Sequence, residues 1–274
     1  MSTSLAELDT EIETDRQFVR LSSGLRYHYR ERDGKGTPVL FLHGYADSSH
    51  SFAALIEALG YDGPSFNLDF RGHGDSDAAS KYSISDLTAD VIEFIARVIT
   101  RPVHVVGHSM GSIVAQRVAS LRPDLISKLV LIGAAPTAAR HLGLKELRAE
   151  IVRFGDSVPR EFVEAFQCST VHAPVPEAVI LGYIEQSLKV ASSAWRGALT
   201  GLVDEPADAA QAIDASTLVL WGANDGIFGA TEQAQLANVI ADYQLITYPD
   251  AGHAPHWEFP KRVAADIDKF LSAV

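Results

Sequence analysis

Residues 103–120 read VHVVGHSMGSIVAQRVAS. The opening VHVVGH is a short, mostly apolar run, as in a strand covered on both faces, and SIVAQRVAS spaces its apolar residues as a helix does. Between them lies a Gly-x-Ser-x-Gly pentapeptide, Gly107 to Gly111. A strand that enters a helix through this motif holds its serine in a strained turn. The two glycines remove the Cβ atoms that would collide in so tight a bend, and the hydroxyl is pushed clear of the sheet. Ser109 then stands at a helix amino terminus, where unpaired N–H groups face a developing negative charge. The backbone N–H of Met110 is one expected donor to an oxyanion.

Further runs of the same kind lie on either side: PVLFLHG (38–44), SFNLDF (65–70), KLVLIG (128–133), TLVLWG (217–222) and QLITYP (244–249). Helical patterns such as ISDLTADVIEFIARVI and KRVAADIDKFLSA alternate with them. This alternation predicts an α/β fold with a mostly parallel sheet and helices on both faces. QFVRLS and LRYHYRER flank Ser23-Gly24 and predict an antiparallel leading hairpin. From Pro136 to about Ile213 the patterns are helical only (LKELRAEIVRF, REFVEAFQ, EAVILGYIEQSL, SSAWRGALTGL), which predicts an inserted helical cap over 136–213. Residues 17–135 and 214–274 then form the core domain, with a turn at Asp204 to Asp208 leading back into it. Residues 1–16 form a tail in which Leu5, Leu8 and Ile12 have helical spacing among acids and hydroxyls.

The composition excludes several classes. With 47% apolar residues in 274, the chain can bury a full core, and disordered, collagen-like and disulfide-rich classes do not fit. A net charge of −12 repels phosphate polymers and anionic lipid, so neither nucleic acid nor membrane is an expected partner. The single cysteine, Cys168, rules out an internal disulfide and suits a reducing compartment. No basic or apolar leader is visible, so the expected location is cytoplasmic. A homodimer is left open.

A serine hydroxyl is a poor nucleophile until a base takes its proton, and that base needs an acid to orient it. Asp225, just past TLVLWG, and His253, just past QLITYP, both leave carboxyl ends of strands, the edge that also carries Ser109. Tyr45, in the His43-Gly44-Tyr45 loop after PVLFLHG, offers a second oxyanion N–H. His256 and Asp250 are neighbouring rivals; His256 is expected to pack beside Trp257, and Asp250 to belong to a Pro-Asp turn. His43 is expected to brace its loop. The side chains of Tyr45 and Met110 are expected near the substrate carbonyl. Among the aromatics of the helical stretch (Phe154, Phe162, Phe166, Tyr183, Trp195), Trp195 is taken as a pocket residue.

HGYADS, DFRGHGDS (69–76), GHSMG, WGANDGI and GHAPHWEFP together resemble the α/β-hydrolase superfamily, from about residue 17 to the end. Within it the chain is similar to the small bacterial esterases, enol-lactonases, carbon–carbon bond hydrolases and cofactor-free perhydrolases. The resemblance implies Ser109 as nucleophile, Asp225 as acid and His253 as base, acting without a cofactor on a small to medium ester or lactone. It also implies that Asp69, Arg71, His73, Gly74 and Asp75 form a structural turn, and their spacing matches no metal-ligand set. Serine at 109 separates the chain from relatives with a carboxylate nucleophile. Carbon–carbon cleavage, perhydrolysis and a triad-retaining small-molecule receptor are the other readings that the resemblance leaves open.

Overall fold

The computed structural model describes residues 16–139, 141–206 and 212–273. The expected tail, apart from Arg16, lies outside them, as do Ala207 and Asp208 of the expected return turn.

Eight strands form one sheet: β1 (Arg16–Arg20), β2 (Arg26–Arg32), β3 (Val39–Leu42), β4 (Ser65–Leu68), β5 (Val103–His108), β6 (Ile126–Ile132), β7 (Thr217–Gly222) and β8 (Tyr243–Tyr248). Their spatial order is β1-β2-β4-β3-β5-β6-β7-β8. β2 pairs antiparallel with both β1 and β4, and every later pairing is parallel. The predicted hairpin and parallel sheet are therefore present.

The apolar runs are explained by what covers each face. Leu40, Leu42, Val105, Leu129, Leu131 and Val219 face one layer, built from α2 (Ile84–Phe94), α3 (Met110–Leu121) and α8 (Ala230–Val239), with α7 (Ser192–Val203) packed on α2. Their neighbours Val39, Phe41, Val106, Val130, Ile132, Leu218 and Leu220 face the other, built from α1 (Ala53–Ala58) and α9 (Pro260–Ser272). With both faces dry, alternation of polar and apolar residues has no role.

Helix α2 begins at a reciprocal cap: Ser83 Oγ accepts from Asp86 N–H, and Asp86 accepts from Ser83 N–H. Its expected continuation through Ile99 is not regular helix. Residues 95–99 form a π turn closed by Thr100 N–H on Ile95 O, with Thr100 at φ 61°.

Between β6 and β7 the chain carries α4 (Leu142–Ile151), α5 (Arg160–Cys168), α6 (Glu177–Lys189) and α7, with no strand among the described residues. Both ends of this insertion are tied to α3. Arg117, buried, donates from Nη2 to Pro136 O at 2.8 Å and from Nε to Glu205 Oε1 at 2.7 Å, while Thr137 Oγ1 donates to Glu205 Oε2. No described helix is long and apolar enough to cross a membrane.

Two consequences are measurable by chemical denaturation. Glu205→Ala leaves a buried guanidinium without its anion and is expected to cost about 3–5 kcal/mol. Gly111 lies where α3 crosses β3, and a Cβ there would come 2.1 Å from Leu42 O. Gly111→Ala is expected to cost about 1–3 kcal/mol; wild-type stability would show that the helix moves aside freely.

Candidate active site

The sheet order changes direction at β3: the chain adds β4 on one side of β3 and then β5 on the other. Loops leaving the carboxyl ends of β3 and β5 part at that point, and the crevice between them is where open α/β sheets place their sites. The loop after β3 carries Gly44, Tyr45 and Asp47; the turn after β5 carries Ser109 and Met110. Loops after β7 and β8 bring Asp225 and His253 to the same edge.

Ser109 has φ 50° and ψ −115°, a left-handed conformation that costs a non-glycine residue on the order of 1–3 kcal/mol. The bend is held from both sides. Ser109 N–H donates to Ile132 O at 3.0 Å, and Ser109 O accepts from Ser112 N–H and Ser112 Oγ. A Cβ at Gly107 would lie 2.5 Å from Gly111 O, so strand and helix can meet only if that position is bare. The Ser109 hydroxyl caps no backbone N–H. Neither Tyr45 N–H nor Met110 N–H donates to another group among the described residues.

His253 Nδ1 is 2.8 Å from Asp225 Oδ2. The other carboxylate oxygen, Oδ1, accepts from Ile227 N–H at 2.8 Å and Phe228 N–H at 2.9 Å, which fixes its plane. An ionised carboxylate accepts only, so Nδ1 carries the proton and Nε2 presents a lone pair. That Nε2 is buried without a partner, on the cavity that Ser109 also lines.

Three other buried histidines lie at the same sheet edge, and burial holds each of them neutral. His108 lies with its ring centroid 5.0 Å from that of His253 and 4.5 Å from that of His256. Its Nε2–H donates to His253 O at 3.2 Å. Burial, then the neighbouring imidazoles His256 and His253, push its pKa far down, and His256 is pushed to about 3 for the same reasons. His43 Nδ1–H donates to Gly44 O and its Nε2 accepts from Phe70 N–H, with burial lowering its pKa to about 3. His256 stacks on Phe52 and sits beside Trp257, as expected.

The cavity is bounded by Gly44, Tyr45, Asp47, His108, Ser109 and Met110 on the sheet side, and by Leu144, Phe166, Leu202, Phe228 and Trp257 among others. Its free volume is about 30 Å³, far below the roughly 300–1,000 Å³ of ligand pockets. Tyr45 and Met110 line it as expected. Trp195 does not. It stands one layer back, fully buried, its ring edge-on to Tyr45 and Phe166, and its backbone O accepts from Tyr45 Oη at 2.7 Å. Trp195 is large and apolar enough to fill the interior of the helical insertion, and that role wins.

Two acids matter here that motif reading passes over. Glu258, in GHAPHWEFP, accepts from Gly252 N–H at 2.7 Å and from His172 and Ala173 N–H, joining the His253 loop to the insertion. His253 N–H donates to Thr170 O across the same seam. Asp47 is the other. The turn at 69–75 is structural: Asp69 accepts from Ser49 N–H, Asp75 N–H and His28 Nδ1. His28, Asp69 and Asp75 approach one another, but Asp75 is paired with Arg16 and the Asp69 oxygens are engaged.

A model of the alpha/beta hydrolase fold matches residues 37–260. The mouse sn-1-specific diacylglycerol lipase is 24% identical over 90% of this chain and 85% of its own. The (E)-2-((N-methylformamido)methylene)succinate hydrolase of Acinetobacter baylyi is 27% identical over 92% and 97%. Among solved structures, a hydrolase from Pseudomonas aeruginosa superposes with a TM-score of 0.84 at 25% identity, covering 94% of this chain and 99% of that one. The chain belongs to the alpha/beta hydrolase fold family and is a hydrolase of that fold.

Asp47 yields a pH prediction. Burial raises its pKa to about 7, with Asp69 adding to the shift and hydrogen bonds from Ser51 and Ser48 opposing it. Between about pH 4, where the unfolded carboxyl ionises, and pH 7 the folded chain holds a proton the unfolded chain has lost. Stability at this position therefore falls as pH rises through that window. Relative to wild type, Asp47→Asn is expected to gain on the order of 3 kcal/mol from pH 4 to 8. Parallel stability–pH curves for the two proteins would contradict this.

Proposed function

We propose that this protein is a serine hydrolase that cleaves a small to medium carboxylic ester or lactone through an acyl-enzyme on Ser109. The observation that carries the reading is the His253–Asp225 contact, which turns the free imidazole lone pair onto the cavity that Ser109 lines. In this reading Ser109 Oγ attacks the carbonyl carbon while His253 Nε2 takes its proton. Asp225 holds the resulting imidazolium in place, and the N–H groups of Tyr45 and Met110 receive the oxyanion. The ester C–O bond breaks as His253 returns the proton to the leaving alcohol; for a lactone that alcohol stays attached to the acyl group. Water, activated by the same imidazole, then frees the acid and restores Ser109.

His108, His256 and His43 do not compete for that proton, because each is held neutral near pH 7. The apolar lining suits an uncharged acyl or ring group. We read the four helices between β6 and β7 as a cap that must shift to admit substrate, since about 30 Å³ takes no ester. The diacylglycerol lipase among the relatives supports an ester, while the succinate-derived substrate named for another shows how far the same fold ranges.

Ser109→Ala is expected to abolish both turnover of a chromogenic short-chain ester and labelling by a fluorophosphonate. Asp225→Asn is expected to lower kcat by about 10⁴ with folding intact. Labelling of the Ser109→Ala protein would remove Ser109 from this role. Assays of an ester, a lactone and a ring-fission dienoate side by side separate ester cleavage from carbon–carbon cleavage.

A further inference from the structure

Three residues that line the cavity each carry a buried polar atom with no hydrogen-bond partner among the described residues: His253 Nε2, His108 Nδ1 and Asp47 Oδ2. The first is accounted for by the proposed chemistry. The second faces the Gly44 backbone, where even an added Cβ would sit 2.9 Å from it, so nothing else can enter there. Asp47 Oδ2 remains. Asp47 is 2% exposed and lies two residues beyond Tyr45 on the loop that leaves β3. Its Oδ1 accepts from Ser48 N–H at 2.8 Å, and the Ser51 side chain lies near the same carboxyl. Around it stand Tyr183 and Trp257, their rings stacked 4.2 Å apart, with Asp69 a neighbouring acid.

No described Lys or Arg is paired with Asp47, and the walls it shares are largely apolar. A carboxyl kept in such surroundings is neutral through the acid range and both donates and accepts a hydrogen bond. A hydroxyl has the same dual character. A simple alkyl chain would leave Oδ2 buried and unpaired, which sites of this kind discriminate against strongly.

We infer that Asp47 is a specificity-determining residue that hydrogen-bonds a hydroxyl on the substrate, so that the preferred ester is a hydroxylated one. The inference rests on the reading of Ser109 as the reacting group only for where the ester sits.

The test compares matched pairs: methyl 3-hydroxybutyrate with methyl butyrate, placing the hydroxyl on the acid side, and glyceryl 1-monobutyrate with propyl butyrate, placing it on the alcohol side. The ratio of kcat/KM, hydroxylated over plain, is expected to fall at least about tenfold in Asp47→Leu for one pair. Asp47→Asn, whose amide also donates and accepts, is expected to keep the ratio within about threefold of wild type. A ratio that moves less than threefold in Asp47→Leu for both pairs, or that falls equally in Asp47→Leu and Asp47→Asn, would overturn the role. Kd for the same four esters, measured in Ser109→Ala proteins with and without each Asp47 substitution, reads the discrimination without turnover. Discrimination in Kd with no turnover by wild type would sink the serine-hydrolase reading and leave Asp47 standing; turnover without discrimination would do the reverse.

Discussion

The left-handed turn at Ser109 is the constraint on which the site depends. It exists because β5 and α3 meet at a sharp angle, and they can meet so only where Gly107 and Gly111 present no side chain to each other or to β3. The cost of that backbone is local, while the stabilisation that holds it is distributed. Ile113, Val114 and Val118 of α3 are fully buried against the sheet, at about 1.5–3 kcal/mol each. A helix anchored this firmly cannot relax to let Ser109 return to an ordinary conformation. The hydroxyl is therefore aimed by the core and not by its own contacts.

Electrostatic selection among the histidines follows from the same core. His43, His108, His253 and His256 all lie within the sheet edge, yet among these four only His253 hydrogen-bonds a carboxylate. The others are committed to backbone groups or packed on aromatic rings, and burial denies them a proton. One imidazole is thus singled out by its partner from a group of near neighbours. Asp225 is in turn oriented by two N–H groups of its own loop, so its carboxylate plane is fixed independently of His253.

The parallel sheet, the hairpin and the helical insertion were legible because both-face burial and helical spacing leave direct marks on local sequence. That Ser109, Asp225 and His253 share one sheet edge was legible because each follows an apolar run that ends in glycine or a turn. Trp195 was misplaced for a plain reason: an aromatic at helical spacing looks the same whether it lines a pocket or fills the layer behind it. Asp47 and Glu258 went unnoticed for another. Their importance comes from what surrounds them in space, an apolar wall for one and three N–H groups from two distant loops for the other. No local pattern encodes either.

Arg117 grips both the departure and the return of the helical insertion from within the helix that Ser109 heads. Two legs pinned to one guanidinium cannot slide past each other or drift from Ser109. The connection between α5 and α6 is held as well, through Glu258 and Thr170, to the loop that carries His253. Under the proposed chemistry, any opening of the helical stretch would therefore pull on the loop that holds His253: entry and alignment are mechanically coupled.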